Sequence, residues 1–96
     1  MTAIYSRTFY RTDINVPFPP EPAGLVEHVS TNYSDKCITW RDTTVSENGL
    51  IKVATSTWVN LEELLLAKQD PLLIEYAQTT EQYCADNGII TYSSTE

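Results

Sequence analysis

The sequence predicts an α+β domain in which a small antiparallel β-sheet carries a pair of C-terminal helices packed on one face. The prediction rests on a central hairpin at residues 37–59 and on helical patterns at 61–68 and 71–87. The chain has 96 residues, of which 42% are hydrophobic. That length and apolar content are typical of a single small globular domain spanning residues 1–96.

The N-terminal residues 3–12 alternate as a β-strand does and are rich in aromatic and β-branched side chains. One side of this strand would carry Ala3, Tyr5, Arg7, Phe9 and Arg11. Residues 17–22 then contain four prolines, which remove backbone donors and restrict φ. We therefore expect an extended crossing between two elements, anchored by Phe18.

Residues 23–33 fit two patterns. Leu25, Val26 and Val29 have the spacing of a short helix, whereas Val26, His28 and Ser30 alternate as in a strand. We expect a short strand or an irregular segment here, with a helix as the alternative.

The hairpin turns at Asn48-Gly49, the pair best suited to a two-residue type I′ turn. This turn predicts that residues 44, 42, 40 and 38 pair with 53, 55, 57 and 59. The predicted core face then carries Ile38, Trp40, Thr44, Ile51, Val53, Thr55, Thr57 and Val59. The opposite face, which includes Arg41, Lys52 and Trp58, would be open to water or to a partner.

Asn60 and Asp70 are suited to cap two helices, and Pro71 fits a first helical turn. The first helix would bury Leu61, Leu64 and Leu65. One face of the second would carry Leu73, Tyr76, Ala77, Thr80, Tyr83, Cys84 and Asn87. After Gly88, a typical helix-terminating residue, residues 89–92 are β-prone and 93–96 are expected to be frayed.

Charge is distributed unevenly along the chain. The formal net charge is −7, of which residues 53–96 hold −6. Such a surface would repel a phosphate backbone and attract a basic protein. The sequence lacks an apolar run of roughly 18 residues and an export signal, so we expect no membrane association and a cytoplasmic location with Cys37 and Cys84 reduced.

The sequence offers little for catalysis. His28 is the only histidine, and the local signatures of cysteine and serine hydrolases are absent. The glycines are Gly24, Gly49 and Gly88, too few and too scattered for a phosphate-binding loop. We therefore expect a non-enzymatic protein with no catalytic residues, no cofactor and no metal site.

The expected function is that of an accessory protein that binds another protein or itself. A small core favours a homodimer or a bound partner. The candidate interaction residues are Arg41, Lys52 and Trp58 on the outer hairpin face, and Glu75, Glu81 and Asp86 on the acidic helix. Two alternatives remain open: single-stranded nucleic-acid binding through Tyr5, Arg7, Phe9 and Arg11, and a structural role in a larger assembly such as a virus particle.

Overall fold

A computed structural model describes all 96 residues. The elements follow the order β1 (Ala3–Tyr10), α1 (Leu25–Asn32), β2 (Cys37–Val45), β3 (Ile51–Trp58), α2 (Leu61–Ala67), α3 (Pro71–Asn87) and β4 (Ile90–Thr95). The four strands form one sheet in the order β2-β3-β1-β4, and all neighbouring strands are antiparallel. The predicted α+β class is therefore confirmed, and the β-α-β-β-α-α-β succession is a split βαβ arrangement as in ferredoxin-like folds, with two helices in the second crossover.

The three helices pack against the same face of the sheet. One core cluster joins Ala3 and Trp58 of the sheet to Leu64 and Ala67 of α2. A second joins Phe9 of β1 to Cys84 at the end of α3 and to Ile89. Both clusters lie on one side because Ala3 pairs directly with Trp58, and Phe9 projects to the same side as Ala3 along β1.

The predicted core face of the hairpin is wrong. Ala54, Ser56 and Trp58 are the buried residues of β3, and Trp58 is only 2% exposed. The alternate residues Ile51 and Val53 face the other side and are only half-buried. The helices therefore cover the face with the small residues Ala54 and Ser56, while the face with the β-branched residues stays partly exposed.

The predicted pairing holds near the turn and fails farther along the hairpin. Residues 42–45 pair with 55–52 as expected, but Thr39 pairs with Thr57 and Cys37 with Trp58. The register shifts twice, at a β-bulge between residues 39 and 42 and again between residues 37 and 39, and Arg41 within the bulge has a φ of 55°. The predicted pairs of 40 with 57 and 38 with 59 are therefore wrong, because each irregularity displaces the register beyond it.

The turn itself also differs from the prediction. Gly49 has a φ of 76°, but Asn48 does not have the positive φ that a type I′ turn requires. The Gly49 amide donates to the Ser46 carbonyl at 2.9 Å, and the Asn48 side chain accepts from the Leu50 amide at 3.0 Å. The connection is therefore longer than two residues.

Residues 25–32 are helical, so the expectation of a strand or irregular segment was wrong. Leu25 and Val29 decide the outcome, since both are buried one turn apart while Val26 between them is exposed. The strand pattern would have required Val26 and His28 to share a buried face.

The proline-rich segment, residues 17–22, called here the strap, has no regular secondary structure and packs on the helix side of the sheet, and Phe18 is its anchor, as predicted. The Phe18 ring lies 3.9 Å from the Arg11 guanidinium carbon and packs against the second core cluster. Arg11 also donates to the Gly49 and Val16 carbonyls at 2.9 and 2.8 Å. The Tyr83 hydroxyl donates to the Pro17 carbonyl at 2.9 Å and holds the strap against α3.

Both predicted helix caps are confirmed. Asn60 accepts from the Glu63 amide at 2.8 Å, and Asp70 accepts from the Leu72 amide at 2.9 Å. The predicted apolar stripe of α2 is only partly confirmed. Leu64 is buried, together with Ala67, whereas Leu61 and Leu65 are exposed.

The C-terminus is more ordered than expected. Strand β4 continues to Thr95, and Glu96 exchanges two backbone hydrogen bonds with Ile4. The prediction that 93–96 are frayed was wrong because these residues complete the antiparallel pairing with β1. No helix in the structure combines the length and the apolar character needed to span a bilayer.

Candidate functional site

Two features of the fold could bind something. The first, called here the inter-layer cavity, is a space of about 210 Å³ between the sheet and the helices. Its wall includes Tyr5, Trp40 and Trp58 from the sheet and Leu73 and Tyr76 from α3. Eleven of its seventeen lining residues are hydrophobic, so a ligand there would be mostly apolar.

The β-bulge shapes this cavity. In a regular strand, Trp40 and Arg41 would point to opposite faces of the sheet, but here both line the cavity. The left-handed backbone at Arg41, with a φ of 55°, turns its side chain to the helix side. A residue other than glycine pays conformational strain of about 1 kcal/mol or more in this region.

Three cations line the inter-layer cavity: Arg7, Arg41 and Lys68. They are half of the chain's six basic residues, while none of its thirteen acidic residues is part of the lining. The cavity is therefore electropositive in a protein whose net charge is −7.

The cavity cations are incompletely neutralised. Arg7 reaches Glu81 at 3.5 Å and Arg41 reaches Glu21 at 3.9 Å, and both carboxylates are at least partly exposed. Burial lowers the pKa of the Arg41 guanidinium, Glu21 opposes that change, and the charge of Arg7 adds to it. Arg7 and Arg41 thus lie close enough to repel each other.

The second feature, called here the open sheet face, is the side of the sheet away from the helices. Its residues are Ile4, Ser6, Thr8, Tyr10, Thr39, Asp42, Thr44, Ile51, Val53, Thr55, Thr57, Ile90, Tyr92, Ser94 and Glu96. None of them is buried, and Tyr92 is 62% exposed. Tyr10 and Tyr92 meet edge to face across β1 and β4, with ring centroids 5.6 Å apart. Asp42 and Glu96, which pairs with Ile4, are the charged residues of this face.

The structure separates the predicted interaction residues of the hairpin. Arg41 lines the cavity, while Lys52 lies 5.8 Å from the Phe18 ring centre on the same side of the sheet. Trp58 was expected to face outward, and this is wrong: its indole is buried and donates to the Ser56 hydroxyl at 3.1 Å. The face predicted to be free is thus the one the helices cover.

The acidic residues of α3 are exposed, as the helical pattern predicted. Glu75, Glu81 and Asp86 all lie on the solvent side. Asp86 accepts from the Gln82 amide at 2.9 Å, and Glu81 makes the long contact with Arg7. The three residues therefore remain available to a basic surface.

The N-terminal strand face proposed for nucleic acid is not a free surface. Phe9 is 1% exposed, and Arg11 is occupied by backbone carbonyls. Tyr5 and Arg7 line the cavity. The four side chains therefore do not form an accessible platform for stacked bases.

His28 joins two helices. Its Nε2 lies 2.8 Å from the Asp70 carboxylate, and the Asn32 amide lies 3.2 Å from Nδ1. A neutral ring protonated at Nε2 satisfies both contacts. The Tyr33 hydroxyl donates to the same Asp70 oxygen at 2.7 Å. No three His, Cys, Asp or Glu side chains converge as metal ligands would.

The sequence did not reveal the inter-layer cavity. The sequence pattern places Lys68 at the end of one helix and Tyr76 on one face of the next, and gives neither a reason to face Arg7. Their convergence depends on β1 pairing with β3 and on the bulge at Arg41. The sequence signal for this cavity was that Tyr5 and Arg7 share one face of β1. It points to a site with Trp40 only once the strand order of the sheet is known.

Comparisons with known proteins give a likeness of fold alone. No family model matches the chain, and no curated protein sequence matches it. The structure is similar to that of Rv0793 from Mycobacterium tuberculosis, with a TM-score of 0.45 and 15% sequence identity. That similarity covers 97% of this chain and 91% of the other.

Proposed function

We propose that the protein is a non-enzymatic accessory protein that associates with a second copy of itself through the open sheet face. The observation that carries the proposal is that no helix or loop covers this face. Its apolar side chains Ile4, Tyr10, Ile90 and Tyr92 are all exposed, and the last three lie together at one end of the face. An exposed apolar patch of this kind marks an interaction site.

Charge favours a second copy as the occupant. Two molecules that each carry a net charge of −7 repel each other wherever their acidic surfaces meet. The open sheet face limits this repulsion because its two charged residues, Asp42 and Glu96, lie on opposite edges of the sheet. A strongly basic partner would find no charged residue to pair with at the centre of the face.

The size of the face is sufficient for a dimer. Four strands about 4.8 Å apart and about 26 Å long give a projected area of about 500 Å². Two such faces together cover about 1,000 Å², the lower limit for specific interfaces. A dimer would thus be held by modest apolar burial and is expected to dissociate on dilution.

Sedimentation velocity over a range of concentrations tests the proposal. The wild-type chain should sediment as a dimer at high concentration, and Tyr92→Glu should be monomeric because it places like charges opposite each other. Leu66→Glu is the matched control, since Leu66 is 52% exposed against 62% for Tyr92 but lies on α2, on the helix side. A wild-type protein that stays monomeric throughout, or a Leu66→Glu variant that alone dissociates, contradicts the proposal.

The acidic helix α3 is proposed as the surface toward a basic partner protein. Glu75 and Asp86 are exposed and lie on the helix layer, away from the open sheet face. A dimer formed through the sheet would present two such helices. Binding of a basic partner should weaken as salt is raised, and Glu75→Gln with Asp86→Asn should weaken it further.

We also propose that the protein works in a reducing compartment such as the cytoplasm. Cys37 and Cys84 are both free, and burial raises the pKa of each thiol. Burial and a raised pKa make these thiols poorly reactive, as expected of structural cysteines in the cytoplasm.

A further inference from the structure

We propose that the inter-layer cavity binds a small aromatic carboxylic acid, with the carboxylate at Arg7 and Arg41 and the ring among Trp40, Trp58 and Tyr76. The inference goes beyond self-association, since the cavity lies on the side of the sheet opposite the open sheet face. It concerns a ligand of the monomer.

The size of the cavity limits the ligand to one or two rings. Its volume is about 210 Å³. A cavity of about 150 Å³ in another protein holds benzene, and drug-sized ligands occupy about 300 Å³ or more. A naphthalene ring bearing one carboxylate is therefore near the upper limit.

The wall of the cavity selects an aromatic body. Both tryptophans of the chain line it, together with Tyr5 and Tyr76. These rings offer flat, weakly polar surfaces that favour offset or edge-on contact with another ring. A strongly hydrated anion such as inorganic phosphate has no apolar surface to place against them.

The charges of the cavity select an anion. Arg7 and Arg41 repel each other, and their contacts with Glu81 and Glu21 are long, at 3.5 and 3.9 Å. A ligand carboxylate between them would accept charge-assisted hydrogen bonds and remove that repulsion. Lys68 has the Tyr5 ring at 5.4 Å but no carboxylate within ion-pair distance, so it adds to the positive potential.

The bulge at Arg41 is the independent observation that supports a built site. A left-handed conformation at an arginine costs free energy, and it places both Trp40 and Arg41 on the cavity wall. The regular strand would have sent one of them to the open sheet face. Strained backbone of this kind clusters at binding sites, where the surrounding structure maintains it.

The test uses 2-naphthoate as the probe and 2-naphthalenemethanol as its neutral counterpart. Titration into the 15N-labelled wild-type protein should shift both tryptophan indole N–H signals with one saturable curve, because both rings line the cavity. The neutral alcohol should bind at least about tenfold more weakly, since it cannot form the charge-assisted contacts.

Variants locate the site. Arg41→Gln should weaken 2-naphthoate about tenfold, whereas Lys52→Gln, which removes a cation outside the cavity wall, should change affinity less than about twofold. Thermal melts of both variants show whether each is folded. If Arg41→Gln does not fold, the wild-type titration with the acid and the alcohol still tests the inference.

Three results would overturn the inference. They are indole signals that do not move at millimolar 2-naphthoate, equal affinity for the acid and the alcohol, and equal weakening by Arg41→Gln and Lys52→Gln. The monomeric Tyr92→Glu variant should bind 2-naphthoate as the wild type does, so failure of self-association and failure of ligand binding are distinguishable.

Discussion

The Tyr33 hydroxyl donates a 2.7 Å hydrogen bond to the Asp70 carboxylate and thereby connects the end of α1 to the start of α3. His28 contacts the same carboxylate oxygen, while the other oxygen accepts from the Leu72 amide. Asp70 is thus a helix cap and a link between helices at once. His28 and Tyr33 are 42 and 37 residues away from Asp70 in the sequence. The cluster therefore holds together two helices that are distant along the chain.

Tyr33→Phe should destabilise the fold by about 1.5 kcal/mol, because a hydrogen bond to a charged acceptor is lost while the ring is retained. The ring should keep its edge contact with Trp58, 5.6 Å away between centroids. Urea unfolding measures the change. Tyr92→Phe serves as the control, since its hydroxyl has no hydrogen-bond partner within the chain and its removal should leave stability within about 0.5 kcal/mol.

The same cluster predicts how stability depends on pH. The hydrogen bonds from Tyr33 and His28 lower the pKa of Asp70 from 3.8 to about 2. Because the unfolded state takes up this proton more readily, the contribution of Asp70 is present above pH 3.8 and is lost as pH falls toward 2.

Tyr33 acts at the alkaline end. Burial, and then the neighbouring Asp70, raise its pKa from 10.0 to about 12. Its contribution is therefore present below pH 10 and is lost as pH rises toward 12. The difference in unfolding free energy between wild type and Tyr33→Phe should shrink at both extremes. A difference independent of pH contradicts this account.

The proline-rich strap should depend on Phe18 and not on its exposed neighbours. Phe18→Ala removes a half-buried ring from between Arg11 and Lys52 and should cost about 2 kcal/mol, below the value for a fully buried phenylalanine. Ile14→Ala in the turn just before the strap is the control, because Ile14 is 61% exposed. Its effect should stay within about 0.5 kcal/mol by thermal unfolding.

The two tryptophans should report opposite environments. Trp40→Phe leaves Trp58, which is 2% exposed and should emit at short wavelength and resist quenching by acrylamide. Trp58→Phe leaves the half-buried Trp40, whose indole reaches the exposed Glu21 side chain at 3.3 Å. It should be quenched more efficiently. If Trp58 were quenched more efficiently than Trp40, it would face outward, as the sequence pattern predicted.

The sequence predicted local structure well because short-range chemistry determines it. The caps at Asn60 and Asp70 and the left-handed Gly88 all follow from hydrogen bonding or backbone freedom within a few residues. Helices 61–68 and 71–87 were accordingly located to within one residue.

Sequence alternation did not identify the buried face of the hairpin. The face of β3 with Val53 is more hydrophobic than the face with Ala54 and Ser56, yet the helices cover the latter. The buried residues of β1, Ala3 and Phe9, determine which face of the sheet the helices cover. The hydrophobic pattern of the hairpin alone could not predict that β3 pairs with β1.

The cavity could not have been predicted for a related reason. The positive φ of Arg41 has no signature in the sequence, since arginine is not a residue that favours left-handed backbone. Without the bulge, Trp40 and Arg41 fall on opposite faces, and Arg41 was placed on the outer surface. The residue was singled out, but its role requires the tertiary structure.

Gly24 and Gly88 should differ in their tolerance of alanine. Both have positive φ, at 88° and 70°, so each substitution carries a backbone cost of about 1 kcal/mol. A Cβ at Gly24 would also lie 3.0 Å from the Tyr76 hydroxyl oxygen, whereas one at Gly88 has no neighbour within 4 Å. Gly24→Ala should therefore be the more destabilising, by about 1 kcal/mol.

The double variant Gly24→Ala with Tyr76→Phe isolates this contact, because it removes the crowded oxygen and leaves the backbone cost in place. A double-mutant cycle measured by urea unfolding should give a favourable coupling of about 1 kcal/mol. If the stability effects of the two substitutions were additive, the ring of Tyr76 would be free to shift. A ring that shifts freely would not form a fixed wall of the inter-layer cavity.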